Sequence, residues 1–378
     1  MNFSYREDQQ DLRRLTAQIF DDRLTDDFRR DFSRSGEPYD RSLWRTLAQA
    51  GLLGTAIAEA QGGSGLGLTE LCLLLEEQGR TLAPVPLLAT LVLGALPIQK
   101  FGSAAQQTAL LPGVASGDLL LTAALEEIGG GDPSRPAVKA TASAEGWRLR
   151  GVKSCVPYGA QAQAILVTAR IGRKSTGVFL IDPQAKGVRI QPQATTSGEP
   201  QALVTLSNVR VPAADVLGDI QAGESIVDWI VERGQTALAA QQLGLMAEAL
   251  RRTATYTGER VQFGRPIGSF QGVQHRLADA YIDVEALRSV YLRAVWALEN
   301  DLPASAEVAV VKWWAARGGH RVTHTAQHLH GGLGADVDYP IHAFFLHAKQ
   351  IELALGAAAP MLAKIGTQLA SGAVRPLT

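Results

Sequence analysis

Three histidines, His320, His324 and His328, are spaced four residues apart, which places their imidazoles on one face of a predicted helix. Imidazoles grouped in this way resemble a zinc ligand set. No carboxylate of the Glu-x-x-His kind stands beside them, and the segment ends in Gly331-Gly332-Leu333-Gly334, which predicts a turn. We therefore expect no physiological metal here, only adventitious binding of nickel or zinc.

Two further patterns suggest chemistry but have plainer explanations. The glycine-rich stretch 62–67 resembles a phosphate-binding loop, but no strand precedes it and no Lys-Ser/Thr pair follows it. The adjacent carboxylates Glu76-Glu77 and Glu126-Glu127 suggest acid–base work, but adjacent residues on a helix point to different sides. We expect solvated faces at both pairs.

Composition excludes several classes of function. The 378-residue chain has a net charge of −1, so it lacks the basic surface of a nucleic-acid-binding protein. Two cysteines are too few for a disulfide framework, which fits a reducing compartment. No uninterrupted apolar run reaches the roughly 18 residues that favour a membrane span. We expect a soluble cytoplasmic protein without a membrane partner.

The hydrophobic periodicity and the residue composition change twice along the chain, and these changes predict an α+β fold in three domains. Helical periodicity dominates residues 1–118, and short runs rich in Thr, Val and Ile, separated by Gly and Pro, fill residues 119–217. Helical periodicity then returns over residues 218–378 in pieces of roughly 25 to 35 residues, longer than ordinary globular helices. We predict an N-terminal helical domain, a middle antiparallel β-domain and a C-terminal four-helix bundle.

One segment carries a family resemblance. Residues 260–271 have the sequence RVQFGRPIGSFQ, and QHRLAD follows at 274–279. This resembles the RxxFGxPI segment that joins two long helices in acyl-CoA dehydrogenases. Other stretches resemble the same family, so the resemblance covers essentially the whole chain: 62–67, 76–80, 83–86, 206–217 and 330–334.

The resemblance implies FAD, an acyl-CoA substrate and a tetramer. In the family, FAD lies between the β-domain and the C-terminal helices, and its pyrophosphate reaches an arginine of a neighbouring subunit. A guanidinium suits a diphosphate because it stays charged and donates in a fork. The residues matched to cofactor binding are Arg260, Phe263, Gln271, His328, where a glutamine is usual, and the glycines Gly331 and Gly332.

The resemblance fails at the catalytic base. The family removes an α-proton with a carboxylate and passes a β-hydride to flavin. Matching His347-Ala348-Lys349 to the family's Asp-Ala-Lys puts Leu355 at the usual base position. The alternative base position of some members matches Gly234, and Gln241 lies two turns further on. Glu232 is the nearest carboxylate, but it lies about 200° around the helix from Gly234, so the catalytic residue is left unassigned with Glu232 as a candidate.

The residues expected to face the flavin ring depart from the family as well. Cys155 replaces the tryptophan that flanks the isoalloxazine, and Pro157 replaces a threonine. These losses resemble the incomplete subunits of heteromeric acyl-CoA dehydrogenases, in which two different chains share flavin sites. Three hypotheses remain: half of such a heteromer, a self-sufficient dehydrogenase whose base is Glu232, or a flavin-free structural or regulatory subunit.

Overall fold

The computed structural model describes residues 3–173 and 175–372, and helices fill its N-terminal part. Local capping explains several boundaries. The side chain of Thr25 accepts from the Phe28 N–H at the start of one helix, and Ser103 and Gln106 form a reciprocal capping box at another. These helices are α1 (Glu7–Arg23), α2 (Asp26–Ser35), α3 (Arg41–Gln49), α4 (Leu68–Thr81), α5 (Leu96–Phe101) and α6 (Ala104–Ala115). A π-helical stretch, Leu88–Ala95, leads directly into α5.

The middle of the chain forms one seven-stranded sheet, with the order β1-β4-β2-β3-β7-β6 and with β5 paired to β4. Most pairs are antiparallel, as predicted, but β4 runs parallel to both β1 and β2, so the sheet is mixed. One face packs on a core that includes Leu149, Phe179 and Val204. The strands are β1 (Leu121–Ala124), β2 (Lys139–Ser143), β3 (Gly146–Pro157), β4 (Ala164–Ile171), β5 (Ser175–Ile181), β6 (Val188–Gln193) and β7 (Gln201–Val211).

Long helices return after the sheet, and the predicted fold class is confirmed. The first three contain 37, 29 and 25 residues, as the long periodic segments indicated. A short hairpin of β8 (Val261–Gln262) and β9 (Arg265–Pro266) joins the first two. The helices are α7 (Gly223–Glu259), α8 (Gln271–Glu299), α9 (Ser305–Leu329), α10 (Ile341–Leu353) and α11 (Ala358–Ala370).

The chain is divided into two compact units. One contains the residues up to Gly36, Leu68–Ala83 and the chain from Gln235 onward; the other contains Glu37–Gly67 and Pro84–Gly234. Each unit therefore combines segments that are distant in sequence. The three-domain boundaries at 118 and 217 stay a prediction.

Within the first unit, α4 and α7 cross in backbone contact at two glycines. A Cβ added at Gly79 would lie 1.8 Å from the carbonyl oxygen of Gln241, and one added at Gly244 would lie 1.8 Å from that of Glu76. Since any side chain would separate the helices, glycine is required at both positions. Beside this crossing, the Gln241 amide donates to Gln78 Oε1 at 2.7 Å.

The carboxylates of α4 are buried, so the expectation of a solvated face at Glu76 and Glu77 was wrong. Their exposed fractions are 2% and 3%. Arg13 of α1 donates to both at 2.9 Å, and Arg288 of α8 lies 3.4 Å from Glu76. Burial raises the pKa of Glu76, and the two arginines oppose that rise. Two side chains that leave a helix in different directions can both be buried when helices pack on both sides.

One stretch of the described residues, 341–370, passes the length and composition test for a membrane span, because an 18-residue window within it has a mean hydropathy of 1.2. The stretch consists of α10 and α11, each of 13 residues, with a break at 354–357. A 13-residue helix is about 20 Å long, shorter than the roughly 30 Å hydrocarbon core of a bilayer. Neither helix is long enough to span that core by itself.

Candidate functional site

The predicted cofactor-binding residues begin on the hairpin between α7 and α8. Phe263 and Gly264 form its two-residue turn with φ angles of 54° and 79°. Both positive values suit the twist of a tight hairpin. The Ile267 N–H closes the hairpin on the Arg260 carbonyl at 2.8 Å. Phe263 is 92% exposed, so the hairpin projects an aromatic ring that this unit does not cover.

Arg260 and Gln271 lie at the two ends of this hairpin, and both are exposed. Within the part of the chain that the structure describes, the Arg260 guanidinium makes no ion pair. An exposed fork of donors without a carboxylate partner suits a phosphate or diphosphate group. The geometry is therefore compatible with the predicted role of Arg260.

The other predicted cofactor-binding residues lie at the C-terminal end of α9. His328 is exposed, and α9 ends at Leu329. Gly331 has a φ of 60°, and a Cβ at Gly331 or Gly332 would meet no atom within 4 Å. The open space leaves the backbone of this glycine turn accessible to a ligand.

A stack of rings joins the end of α7 to the end of α9. The His330 imidazole lies on the Tyr256 ring, with centroids 4.3 Å apart, and 5.4 Å from the Tyr339 ring. Its Nδ1 contacts the Ala326 carbonyl at 2.8 Å, which makes Nδ1 the protonated nitrogen. Burial lowers the pKa of His330. Because Arg260 follows Tyr256 by four residues, this stack brings the hairpin and the glycine turn to the same end of the unit.

The segment that contains Leu355, the residue matched to the usual base position, contacts the first half of α7. Leu355 and Gly356, at the break between α10 and α11, have φ angles of 52° and 104°. The Gln235 amide of α7 donates to the Leu355 carbonyl at 2.7 Å. Gln235 and Arg260 are 25 residues apart, so they are separated by about 38 Å along the helix axis. The structure thus separates Arg260 from Leu355 rather than bringing them together.

A buried lysine supports the same turn, and the sequence analysis did not find it. Lys312 of α9 is fully buried, and its Nζ donates to the carbonyls of Ile351 and Glu352 at 2.8 and 3.0 Å. These carbonyls end α10, where the helix dipole favours a cation. A lysine inside the apolar run Ala309–Trp314 was the available indication, since a buried lysine needs partners.

No acid replaces Leu355 at the alternative base positions. Gly234 is buried, and the Gln241 amide is bonded to Gln78. Glu232 lies on α7 within the other compact unit and is partly buried. Its role as base stays a prediction.

A buried ion pair joins Lys153 of β3 to Glu127 in the loop after β1. Lys153 is fully buried, and its Nζ donates to Glu127 Oε1 and to Thr168 Oγ1, both at 2.8 Å. Burial raises the pKa of Glu127, but hydrogen bonds from Lys153 and the backbone outweigh it and the net shift is downward. Burial lowers the pKa of Lys153, while Glu127 opposes that shift. Glu127 is thus paired rather than on the solvated face expected from the sequence.

Cys155 occupies an irregular point of the same strand. Its φ is 52°, and it falls where the register between β3 and β7 shifts. Its N–H donates to Gln193 Oε1 at 2.8 Å. The strand therefore turns locally at the position where the family's tryptophan is expected.

The histidines of α9 do not converge on a metal site. The His320 and His324 rings are 5.8 Å apart, and Lys349 Nζ lies 3.2 Å from His320 Nδ1. Burial and the nearby Lys349 lower the pKa of His320. Among the described residues, no group of three His, Cys, Asp or Glu side chains is placed to hold an ion.

Two family models and a curated relative that match this chain all carry the name of the same family. The model for the N-terminal domain of acyl-CoA dehydrogenase matches residues 6–118, and the model for the C-terminal domain matches residues 221–370. Acyl-CoA dehydrogenase FadE27 of Mycobacterium tuberculosis is 39% identical, with 98% of this chain and 99% of the relative covered.

Two solved assemblies are similar over nearly the whole chain. A variant of the Tcur3481-Tcur3483 steroid ACAD has 46% identity and a TM-score of 0.91, covering 97% of this chain and 99% of the other. The ChsE4-ChsE5 complex from Mycobacterium tuberculosis has 40% identity and a TM-score of 0.93, covering 100% of each chain.

Proposed function

The chain belongs to the acyl-CoA dehydrogenase family, and from that premise we propose that it is one of two different chains in a heteromeric acyl-CoA dehydrogenase. The reaction introduces an α,β double bond into a CoA thioester. A carboxylate of the second chain takes the α-proton, and FAD, when bound, would be the oxidant for loss of the β-hydride. This chain lends Arg260 and Gln271 to a flavin held mainly by its partner.

The observation that carries this proposal is the turn at Leu355. Leu355 keeps a positive φ, and Gln235 and Lys312 hold the backbone at and before this residue. The leucine side chain, however, cannot accept a proton. A chain with a well-held turn and no base there needs a carboxylate from elsewhere. A partner chain is the source that also accounts for the exposed Arg260.

The residues matched to the FAD diphosphate suit that group, whereas the residues matched to the flavin ring do not. The exposed guanidinium of Arg260 and the open turn at Gly331 and Gly332 suit a diphosphate. Near the expected ring position, however, Cys155 and Pro157 replace the usual tryptophan and threonine. The residues after Leu355 are Gly356 and three alanines, which offer no polar side-chain atoms. Such a chain is suited to contribute to a flavin site without completing one.

The similar assemblies support a second chain and suggest the acyl group. Both solved complexes are described by pairs of chain names, and one is described as a steroid ACAD. We propose a steroid or other lipid acyl-CoA as substrate, a tetramer as the assembly and the cytoplasm as its location.

Flavin absorbance separates the three hypotheses. The chain is expressed alone and together with an acyl-CoA dehydrogenase chain encoded by a neighbouring gene, and absorbance near the flavin bands is measured per protein. We expect flavin only in the co-expressed complex. A yellow, active chain on its own would instead establish the self-sufficient enzyme, and a colourless, inactive complex would establish a flavin-free subunit.

Glu232→Gln tests whether the base lies on this chain. The change keeps size and hydrogen bonding but removes basicity, so it would cost about 100-fold in turnover if Glu232 were the base. We expect the complex to stay nearly as active as the wild type with an artificial electron acceptor, with flavin content unchanged. A large activity loss with flavin intact would move the base onto this chain.

A further inference from the structure

Helix α2 lies on the surface and has no buried side. All ten of its residues belong to the described part of the chain, and none of them is buried. Its two aromatic side chains, Phe28 and Phe32, are half-buried and stack on each other with ring centroids 5.8 Å apart. The Arg23 guanidinium lies 4.4 Å from the centroid of the Phe28 ring. Because a helix gains most of its stability in a protein by packing an apolar face, α2 depends on contacts of another kind.

Two charged side chains join the first half of α2 to other helices of the same unit. Arg252 of α7 donates through Nη1 to both carboxylate oxygens of Asp26, at 3.0 and 2.9 Å. Arg29 pairs with Asp26 as well and donates to the carbonyl of Thr81, at the end of α4, at 2.9 Å. Burial raises the pKa of Asp26, but the hydrogen bonds from the two arginines outweigh it and the net shift is downward. Asp26 therefore carries the charge that holds α2 to α7.

The last turn of α2 is joined to the loop that contains the glycine turn. We call residues 331–339 the glycine loop. Arg34 pairs with Asp338 of this loop, 304 positions further along the chain. The side chains of this pair are 59% and 54% exposed, so the contact is open to solvent. Asp338 is followed directly by Tyr339, whose ring lies 5.4 Å from that of His330. Helix α2 thus bridges α7 and the glycine loop.

Both anchor points of α2 belong to the same ring stack. Arg252, which holds Asp26, precedes Tyr256 by one turn of α7. Tyr256 stacks on His330, and His330 contacts Tyr339 of the glycine loop. Burial raises the pKa of Tyr339, and the nearby Tyr256 and Asp26 add to the rise whereas Arg252 opposes it. Helix α2 therefore lies beside the stack that supports the glycine loop.

The connections and contacts of α2 allow it to open without unfolding of the unit. Leu24 alone separates the end of α1 from Thr25, which caps α2. The helix ends at Gly36, which has a φ of 74°, and a Cβ there would meet no atom within 4 Å. Ion pairs at a surface contribute little stability and are screened by salt. Segments with few buried apolar contacts are the first to open in a folded protein.

We propose that α2 is a charge-held strap, and that its opening frees the glycine loop to admit the diphosphate of FAD. The identity of the ligand rests on the proposed function, since Gly331 and Gly332 are the residues matched to cofactor binding. The strap itself is a property of this chain. In the closed state Arg34 holds Asp338, and in the open state the loop loses this anchor and the turn has room for a ligand to enter or leave. Segments of low stability commonly control the entry and release of ligands.

Two substitutions at adjacent positions of α2 form a matched pair for the test. Asp26→Asn removes the acceptor for Arg252 and Arg29. Asp27→Asn removes a carboxylate from the same turn, but the partner of Asp27 is Arg30, which belongs to α2 itself. Both changes conserve size and both remove one negative charge near the start of the helix, where it favours the helix dipole. Only Asp26→Asn breaks a contact between α2 and the rest of the unit.

Hydrogen exchange in the full-length chain measures the opening of the strap. Amide exchange is followed by mass spectrometry in peptides that cover residues 26–36 and the glycine loop. We expect Asp26→Asn to exchange about fivefold faster than the wild type in both segments, because ion pairs of surface strength correspond to opening factors of this order. Asp27→Asn should match the wild type in the glycine loop.

A second variant and a salt series test the other anchor. Arg34→Gln removes the pair with Asp338, whereas Arg30→Gln removes pairs that lie within α2. We expect faster exchange of the glycine loop in Arg34→Gln and no change there in Arg30→Gln. Raising NaCl from about 0.1 M to about 1 M shortens the Debye length from about 10 Å to about 3 Å. This change should speed exchange in the wild type more than in Asp26→Asn, which already lacks one anchor.

The rates of FAD uptake and release connect the strap to the ligand. Both are followed by flavin fluorescence in the complex with the second chain. We expect Asp26→Asn to take up and release FAD about fivefold faster than Asp27→Asn, as the exchange rates predict, with the same flavin content at saturation. Equal amide exchange in the two variants would overturn the proposal. Faster exchange of α2 that leaves the glycine loop or the FAD rates unchanged would overturn it as well.

These measurements separate this proposal from the proposed function. If the complex binds FAD and Asp26→Asn changes neither amide exchange nor FAD rates, the strap is wrong and the heteromeric function stands. If no combination of this chain with the second chain binds FAD, the proposed function is wrong and the admission of FAD fails with it, whatever the exchange rates of α2.

Discussion

The hairpin at Arg260–Gln271 follows the C-terminal end of α7, whereas the turn at Ala354–Ala357 is bonded to Gln235 in the first half of the same helix. The two segments differ in which features of the family they keep. The hairpin keeps the polar side chains that resemble the family's cofactor motif and leaves them exposed. The turn keeps a positive φ at Leu355 and its hydrogen bonds from neighbouring helices, but it has lost its carboxylate. The comparison teaches that the backbone of a site can persist after its chemistry has moved to another chain.

The largest expected effect is at the hairpin. Arg260→Ala removes charge-assisted hydrogen bonds to a diphosphate, each contributing about 1.5–3 kcal/mol, so FAD affinity of the complex should fall about 10- to 100-fold. Arg260→Lys should lose less, since the charge stays and the fork is lost. Flavin content after dialysis measures both. An unchanged flavin content in the Arg260→Ala complex would show that the hairpin does not bind the FAD diphosphate.

Lys312→Met tests how firmly the turn is held. The variant leaves the Ile351 and Glu352 carbonyls without their charged donor, and we expect a loss of about 2 kcal/mol in the free energy of unfolding. Lys364→Met, which removes a charge from a partly exposed position of α11, should change it by less than about 0.5 kcal/mol. Denaturant titration gives both values. Equal values for the two variants would mean that Lys312 does not support the turn.

His330→Phe tests the ring stack below the hairpin. Burial lowers the pKa of His330 in the folded chain, so the unfolded chain binds more protons just below its ordinary pKa of about 6.5. Stability is therefore lost as the pH falls through that window, by no more than about 1.4 kcal/mol per pH unit for one proton. Phenylalanine keeps the stack on Tyr256 and does not titrate. Unfolding at pH 7.5 and 5.5 should show a smaller loss for the variant, and equal losses would contradict this assignment.

Sequence predicted the fold better than it predicted the contacts within the site. Helical and strand periodicity follow from local alternation, and the RxxFGxPI segment carries its own turn residues, so the hairpin was foreseeable. Pairings such as Lys153 with Glu127, or Arg13 with Glu76, join residues 26 and 63 positions apart. No local pattern specifies such a partner, and for that reason Glu76, Glu77 and Glu127 were misplaced on solvated faces. The one sequence feature that pointed to a buried Lys312 was its position within an apolar run.

The smallest expected effect is the one that most directly tests the turn. Leu355→Glu returns a carboxylate to the usual base position without adding backbone strain, because the turn already holds a non-glycine residue at a φ of 52°. If the partner's carboxylate takes the proton, an acid here has no α-carbon to serve, and turnover of the complex should change by less than about twofold. Leu355→Gln controls for the loss of the apolar side chain. Turnover per flavin is measured for both variants with the partner present. A chain carrying Leu355→Glu that gains activity well above Leu355→Gln would show that substrate reaches this turn and that the turn lacks only a carboxylate.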